Sequence, residues 1–420
     1  MKKWMFIVFV VSFSIWPFAV GQWVKNDIVA FIAEVDSPDI GTEITEYKTG
    51  YYESEFRTDV TVFEPTRNDG SRNSYTFTFV TKVYHGYFGV RTETEIELTQ
   101  RQRLVASYIW PDDDVPLRID VNKNLIGPYN FRLAISQVFL QQPTLVAVAS
   151  AFYIDGTFEK GRVDAGIAWP TVLVLEKEED VATQSYEMFD ISGQVNGRFE
   201  QGMLVGDVKM SAAESVWGYE KRATLQGVNL SISSSISGDK RSKSHRIDFG
   251  VRAYNGNDNK LENLRLVSDI RGSGSEAIFS FWDLINTQVD PMSSQNLIDK
   301  TVAKLLRKGV TSFYIGMDGQ YQGQPFGADL RLQMPAAVGF AASNIKEAVN
   351  NAQGELKVNL DRGYSAYFLG ESTDSWLNLL ADRGALSRQE NRLIGRLELQ
   401  RSQLTNALGN NVPLSALNIQ

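Results

Sequence analysis

Apolar and polar residues alternate singly along most of this chain. Residues 58–64, 75–83 and 91–99 show it best: Tyr75, Phe77, Phe79 and Val83 fall on one face of a strand, with Thr76, Thr78 and Val80 on the other. A period of two is the mark of a strand with one face toward a core or ligand. Further strands are predicted at 145–153, 163–175, 191–199, 204–210, 225–235, 247–254, 313–317, 328–334 and 355–359. Asn68-Asp69-Gly70, Asp155-Gly156, Asn196-Gly197, Asn255-Gly256 and Asp318-Gly319 punctuate them with residues that tolerate tight hairpin turns. Strand after strand through short turns predicts antiparallel pairing rather than βαβ units.

Helical periodicity is scarce and mostly late. Leu297, Ile298, Val302, Leu305 and Leu306 share one face of a predicted helix over 294–308, ahead of Gly309. A second short helix starts near Thr373, carries Trp376, Leu377, Leu379 and Leu380, and stops before Gly384. Weaker helical stretches lie at 345–351 and 26–35, the latter read as a stalk. The expected fold class is therefore mainly β with a few helices (α+β). A long curved antiparallel sheet follows an N-terminal membrane helix, with amphipathic helices in the C-terminal third. The expected division is 1–22 (anchor or signal segment), 23–290 (β-rich body) and 291–420 (α+β part on the same sheet).

Residues 4–20 form an apolar stretch, broken by Ser12, Ser14 and Pro17, after Lys2-Lys3. Ala19-Val20-Gly21 offers small residues for a signal peptidase, with Pro17 breaking the helix before them. A stretch of seventeen residues also just spans a bilayer, with Trp23 at the interfacial level. Both readings place the lysines in the cytoplasm and the body outside it.

A quasi-repeat links residues 156–161, 197–202 and 319–323, either as stacked β units or as hairpins sharing turn chemistry.

Composition narrows the chemistry. The 420 residues carry 42 Lys and Arg against 50 Asp and Glu, a net charge of −8 that argues against a nucleic-acid partner. There is no cysteine and there are only two histidines, His85 and His245, which removes thiol catalysis and Cys/His zinc sites. His85 ends a strand among aromatics and reads as structural. His245 sits in the basic run 240–246, read as a solvated hairpin loop with anionic lipid as the alternative. Asp112-Asp113-Asp114 and residues 255–259 lack calcium-loop spacing, and Gly272-Ser273-Gly274-Ser275 lacks the lysine of a phosphate loop. No catalytic, metal or cofactor residue is singled out, and no cofactor is expected.

Glu46-Tyr47-Lys48-Thr49-Gly50-Tyr51-Tyr52-Glu53-Ser54 followed by an alternating strand resembles the start of the YdgA-like family of bacterial proteins of unknown function. Gly21-x-Trp23 after the apolar segment, His85-Gly86 after the second strand pair, and residues 409–414 are similar in the same order. The resemblance implies a single-pass inner-membrane protein with an uncleaved helix and a periplasmic body; a cleaved signal and a soluble periplasmic protein is the alternative. It implies no catalytic residues. Trp23, Tyr47, Gly50, Tyr51, Ser54, His85 and Gly86 are read as structural motif residues, the segment from Tyr47 to Tyr51 as a strand-entry corner. Gly50 is read as supplying a backbone conformation that other residues resist. The favoured role is a non-catalytic structural or interaction protein of the envelope. Lipid or another amphiphile held along an apolar sheet groove, with Phe77 and Phe79 lining it, is the alternative. A carboxylate-dependent cell-wall hydrolase stands third.

Overall fold

A computed structural model describes residues 20, 22, 25–26, 29, 40–63, 73–111, 113, 115–124, 126–178, 181–200, 203–218, 222–236, 243–256, 259–272, 311–335, 351–369, 371–400 and 403–412. Its contacts divide the chain into two compact units, residues 1–199 and 200–420.

In the first unit, β1 (Ile40–Thr49), β2 (Glu53–Phe63), β3 (Ser74–His85), β4 (Gly89–Glu97), β5 (Leu117–Asn124) and β6 (Tyr129–Ile135) form an antiparallel meander. Between β4 and β5 stands the short helix α1 (Gln100–Ala106), opened by a capping box in which Thr99 and Gln102 satisfy each other's backbone. β7 (Val138–Gln141) and β8 (Leu145–Ala149) make a small hairpin. Then β9 (Phe152–Glu159) pairs beside β6, β10 (Arg162–Glu178) beside β9, and β11 (Val181–Glu200) beside β10. The predicted single strand 145–153 is two strands, broken at Ser150-Ala151. The break lets β10 change partner, from β9 along Arg162–Ala168 to β8 along Val172–Glu176. Pro170, which has no N–H for a ladder, sits at the switch. Ser150 seals it, accepting from Trp169 Nε1 at 3.0 Å and from Thr171 N at 2.8 Å.

Register sorts this sheet into two chemically distinct faces. Phe56, Thr81, Val83 and Val90 align with Val121, Phe131, Ile154 and Ile167 on one face, while Arg57, Glu93, Asp120, Arg132 and Asp155 share the other. The buried apolar cluster is small: Phe56, Val83 and Val90 with Val20, and Ile44 and Tyr47 packed beside them. Residues 20, 22, 25, 26 and 29 are helical. The remaining residues of the segments read as membrane helix and stalk lie outside the described residues, as does Trp23. Among the described residues no helix is long and apolar enough to cross a membrane.

The second unit is again antiparallel. β12 (Met203–Trp217), β13 (Ala223–Ile236), β14 (Lys243–Gly256), β15 (Asn259–Gly272), β16 (Thr311–Tyr321), β17 (Gln324–Met334) and β18 (Gln353–Asp361) pair in sequence. Beyond β18 the chain turns through α2 (Arg362–Tyr364), a π-helical turn Ser365–Leu369 and α3 (Glu371–Asp382). It returns as β19 (Ser387–Gln389), β20 (Arg392–Gln400) beside β18, β21 (Gln403–Asn406) and β22 (Asn411–Val412). The helix expected near Thr373 is α3. The stretch 294–308 and nearly all of 345–351 lie outside the described residues.

The unit's core lies under this helical insertion. Leu377 and Leu380 of α3 bury with Tyr254, Leu261, Tyr321, Phe326, Val358, Leu393 and Leu397 of the sheet. Tyr364 stacks on Phe326 with ring centroids 4.0 Å apart and on Phe368 at 5.2 Å, and burial pushes its hydroxyl pKa up to about 12. Gly384, at φ 73°, ends α3, so that the N–H of Ala385 reaches back to the Leu380 carbonyl at 2.9 Å. On the same face, at mid-strand, Met210, Leu266, Ile315 and Leu330 stay exposed.

Lys160-Gly161 and Gln322-Gly323, from two arms of the quasi-repeat, both take positive φ at two-residue hairpin turns. They share turn chemistry.

Candidate functional site

The motif residues come together. β2 pairs with β3 so that Glu53 lies opposite Tyr84 and Ser54 opposite Val83. The turn 50–52 therefore lies beside the turn 86–88 at one end of the first sheet. His85 N donates to the Tyr52 carbonyl at 2.7 Å, locking the turns together, and Gly86 N donates to the Gly89 carbonyl at 2.9 Å. Tyr51 meets Tyr52 edge to face at 4.5 Å. Tyr47, near the end of β1, stacks on Phe56 with centroids 6.1 Å apart, and Lys25 Nζ lies 4.5 Å from its ring centroid. The residues read as a strand-entry corner are thus one half of a two-hairpin corner that His85-Gly86 completes.

Glycine is required at Gly50 by space. Gly50 is not among the residues with positive φ, which corrects the expected reason, but a Cβ there would sit 2.2 Å from the Glu53 carbonyl oxygen. Gly86 is similar, with 2.9 Å to the Gly89 carbonyl oxygen.

Ser54 is 1 % exposed and His85 4 %. Ser54 Oγ and both His85 ring nitrogens lack a well-aligned hydrogen-bond partner, so hydroxyl, imidazole and carboxylate are not joined as a nucleophile, base and orienting group must be. Burial pushes the His85 imidazole below its ordinary pKa, opposed by the Tyr51 backbone nearby, which is close enough to resist the shift without satisfying the ring.

A pH signature follows. The unfolded chain takes up a proton at His85 near pH 6.5, while the folded chain resists until lower pH, so this residue subtracts stability as pH falls below about 6.5. The variant His85→Leu, which removes buried polar atoms without a well-aligned partner, is expected to match or exceed the wild-type melting temperature at pH 7.5. It should also lose less on moving to pH 5. Parallel pH slopes for the two proteins would contradict this account.

Phe77 and Phe79 sit on the apolar face of β3, opposite Val60 and Thr58, and both are half-buried. His245 is a buried residue of β14, not a loop residue, and its Nδ1 lies 2.9 Å from Ser234 Oγ. Asp113, read as part of an acidic turn, works as a staple. Its Oδ2 accepts from the Ser136 hydroxyl at 2.5 Å and its Oδ1 from Val115 N at 2.8 Å, and the Ser136 hydroxyl foremost holds its carboxyl below the usual range. Asp112, Asp114 and residues 257–258 and 273–275 lie outside the described residues. So do 413–414 of the closing turn.

One feature escaped the sequence reading. Arg91, Asp120, Asn122, Asn130, Arg132 and Asp155 line a shallow recess of about 350 Å³ on the polar face, where Arg132 pairs with Asp155 at 2.5 Å. Each residue occupies an ordinary polar position of a strand, so no single strand announces it. Among the described residues no group of three or more His, Cys, Asp or Glu gathers as metal ligands.

No curated protein and no solved structure matches the chain. Residues 1–363 do match a family described as bacterial protein of unknown function (DUF945), a span that ends within the helical insertion. The chain belongs to that bacterial family, DUF945, whose function is unknown.

Proposed function

We propose that this is a membrane-tethered envelope protein whose first unit holds the acyl chains of a lipid or similar amphiphile against the apolar face of its sheet. The observation that carries the reading is the mismatch between the extent of that face and its cover. It runs across nine strands from β1 to β11, yet its fully buried apolar side chains on these strands are Phe56, Val83, Val90, Ala165 and Ile191 among the described residues. Phe77, Phe79, Phe131, Leu133 and Ile154 remain half-buried. An apolar surface of that size left partly open favours an apolar partner. The apolar segment 4–20 supports the tether, and the YdgA-like likeness of residues 46–54 supports an inner-membrane place with the body in the periplasm.

The test is photo-crosslinking of the full chain, reconstituted in vesicles, with a phospholipid bearing a diazirine on its acyl chain. Crosslinked peptides are expected from β3, β6 and β9 as well as from residues 4–20; adducts confined to 4–20 would overturn the groove. Phe77→Ala and Phe79→Ala should reduce the β3 adduct while costing clearly less than the about 3–5 kcal/mol of a closed-core Phe deletion. Both variants unfolding the unit would point instead to a sealed structural module.

A further inference from the structure

We infer that the hairpin turns at one end of the first sheet form a membrane-docking rim that rests on the bilayer interface. The connections at 50–52, 86–88 and 126–128 join β1 to β2, β3 to β4 and β5 to β6, so all three lie at the same end of the meander. Successive turns at that end are two strands apart, about 10 Å, which sets them in a row about 20 Å long. Hairpin turns are normally polar. These present Tyr51, Tyr52, Phe88 and Ile126, which are 42 %, 56 %, 77 % and 92 % exposed. Tyrosine and phenylalanine side chains of this kind favour the headgroup level of a bilayer.

The body's own chain singles out this end. Val20 closes the apolar segment and buries against Phe56, Val83 and Val90. Val90 follows Gly89 at the second turn, opposite His85, and Val83 lies opposite Ser54 beside the first. β1 begins at Ile40, opposite Val62 at the far end of β2. Val20 and Ile40 thus lie at opposite ends of the meander, with Val20, the last residue of the apolar stretch, at the rim end. The far end also exposes apolar side chains, Leu104, Val105 and Tyr108 on and after α1, but Val20 does not pack there. The inference rests on the tether reading for residues 4–20 and adds a second, independent contact with lipid.

The absence of cysteine makes the test clean. Full-length variants Ser12→Cys, Phe88→Cys, Ile126→Cys and Tyr108→Cys are each labelled with a fluorophore. They are reconstituted in phosphatidylethanolamine–phosphatidylglycerol vesicles that carry nitroxide lipids either at the headgroup or deep in the acyl chain. Headgroup nitroxide is expected to quench labels at 88 and 126 about two-fold or more beyond the label at 108, a comparably exposed position at the opposite end. Deep nitroxide should quench the label at 12. Quenching at 12 with labels at 88 and 126 no more quenched than 108 overturns the rim and leaves the tether. Loss of quenching at 12 with 88 and 126 still quenched removes the tether and leaves the rim. Loss at all three removes both.

Discussion

Gly50→Ala is expected to lower the stability of the first unit by about 1–3 kcal/mol, read as a fall in melting temperature, without abolishing any single chemical step. The Glu53 carbonyl oxygen stands 2.2 Å from where the new Cβ would be placed. Backbone rather than a flexible side-chain tip fills that space, so relief requires the turn to open. Opening it moves Tyr51 and Tyr52, and the Tyr52 carbonyl is the acceptor for His85 N. The strain should therefore spread to the second turn, and hydrogen exchange at His85 and Gly86 should quicken along with that of residues 50–53. Gly166→Ala is the control. It lies within β10 and a Cβ there meets only the Asp155 carbonyl oxygen at 3.9 Å, an ordinary contact. Replacing a strand glycine in open space should be neutral or slightly stabilising, since the unfolded chain loses freedom. Equal melting temperatures for wild type and Gly50→Ala would show that the turn relaxes without penalty and that the close approach has no structural weight.

What the sequence made legible follows from how local each feature is. Strands such as β3 and β10 announce themselves because one residue in two is apolar, and α3 because Leu377 and Leu380 recur at helical spacing ahead of Gly384. β15 was missed although it is fourteen residues long. Asn263, at φ 52°, puts an irregularity between Leu261 and Leu264, so the apolar residues change parity within the strand. A period-two template stops at such a bulge, whereas the pairing runs through it. α1 was missed although Thr99-x-x-Gln102 is a legible capping signal, because alternation through Leu98 masked where the strand ended. The corner was legible only as two separate motifs. That residue 53 stands opposite residue 84 is a fact of strand register, and register depends on partners far away in the chain. The polar recess has the same cause, assembled as it is from four strands.

The largest stability effect is expected at Leu380. Leu380 and Leu393 are fully buried and Leu397 nearly so, where α3 lies over β18 and β20. Leu380→Ala removes three carbons from a site closed on every side and leaves a void, a change that costs about 2–5 kcal/mol. It also acts at the helix end. The Leu380 carbonyl accepts from both Ala385 N at 2.9 Å and Leu386 N at 3.3 Å, so loosening this turn frees the reversal that delivers β19 and β20. The informative comparison is Ile315→Ala on the same sheet, a residue 55 % exposed at mid-strand in β16. Little apolar area leaves water there on folding, so the loss should be at most about 1 kcal/mol. Urea midpoints of the two variants measured side by side give the contrast. A clear gap means that this sheet is packed under α3 and open at Ile315. If instead Ile315→Ala costs as much as Leu380→Ala, Ile315 is packed in solution, and that part of the sheet face is covered.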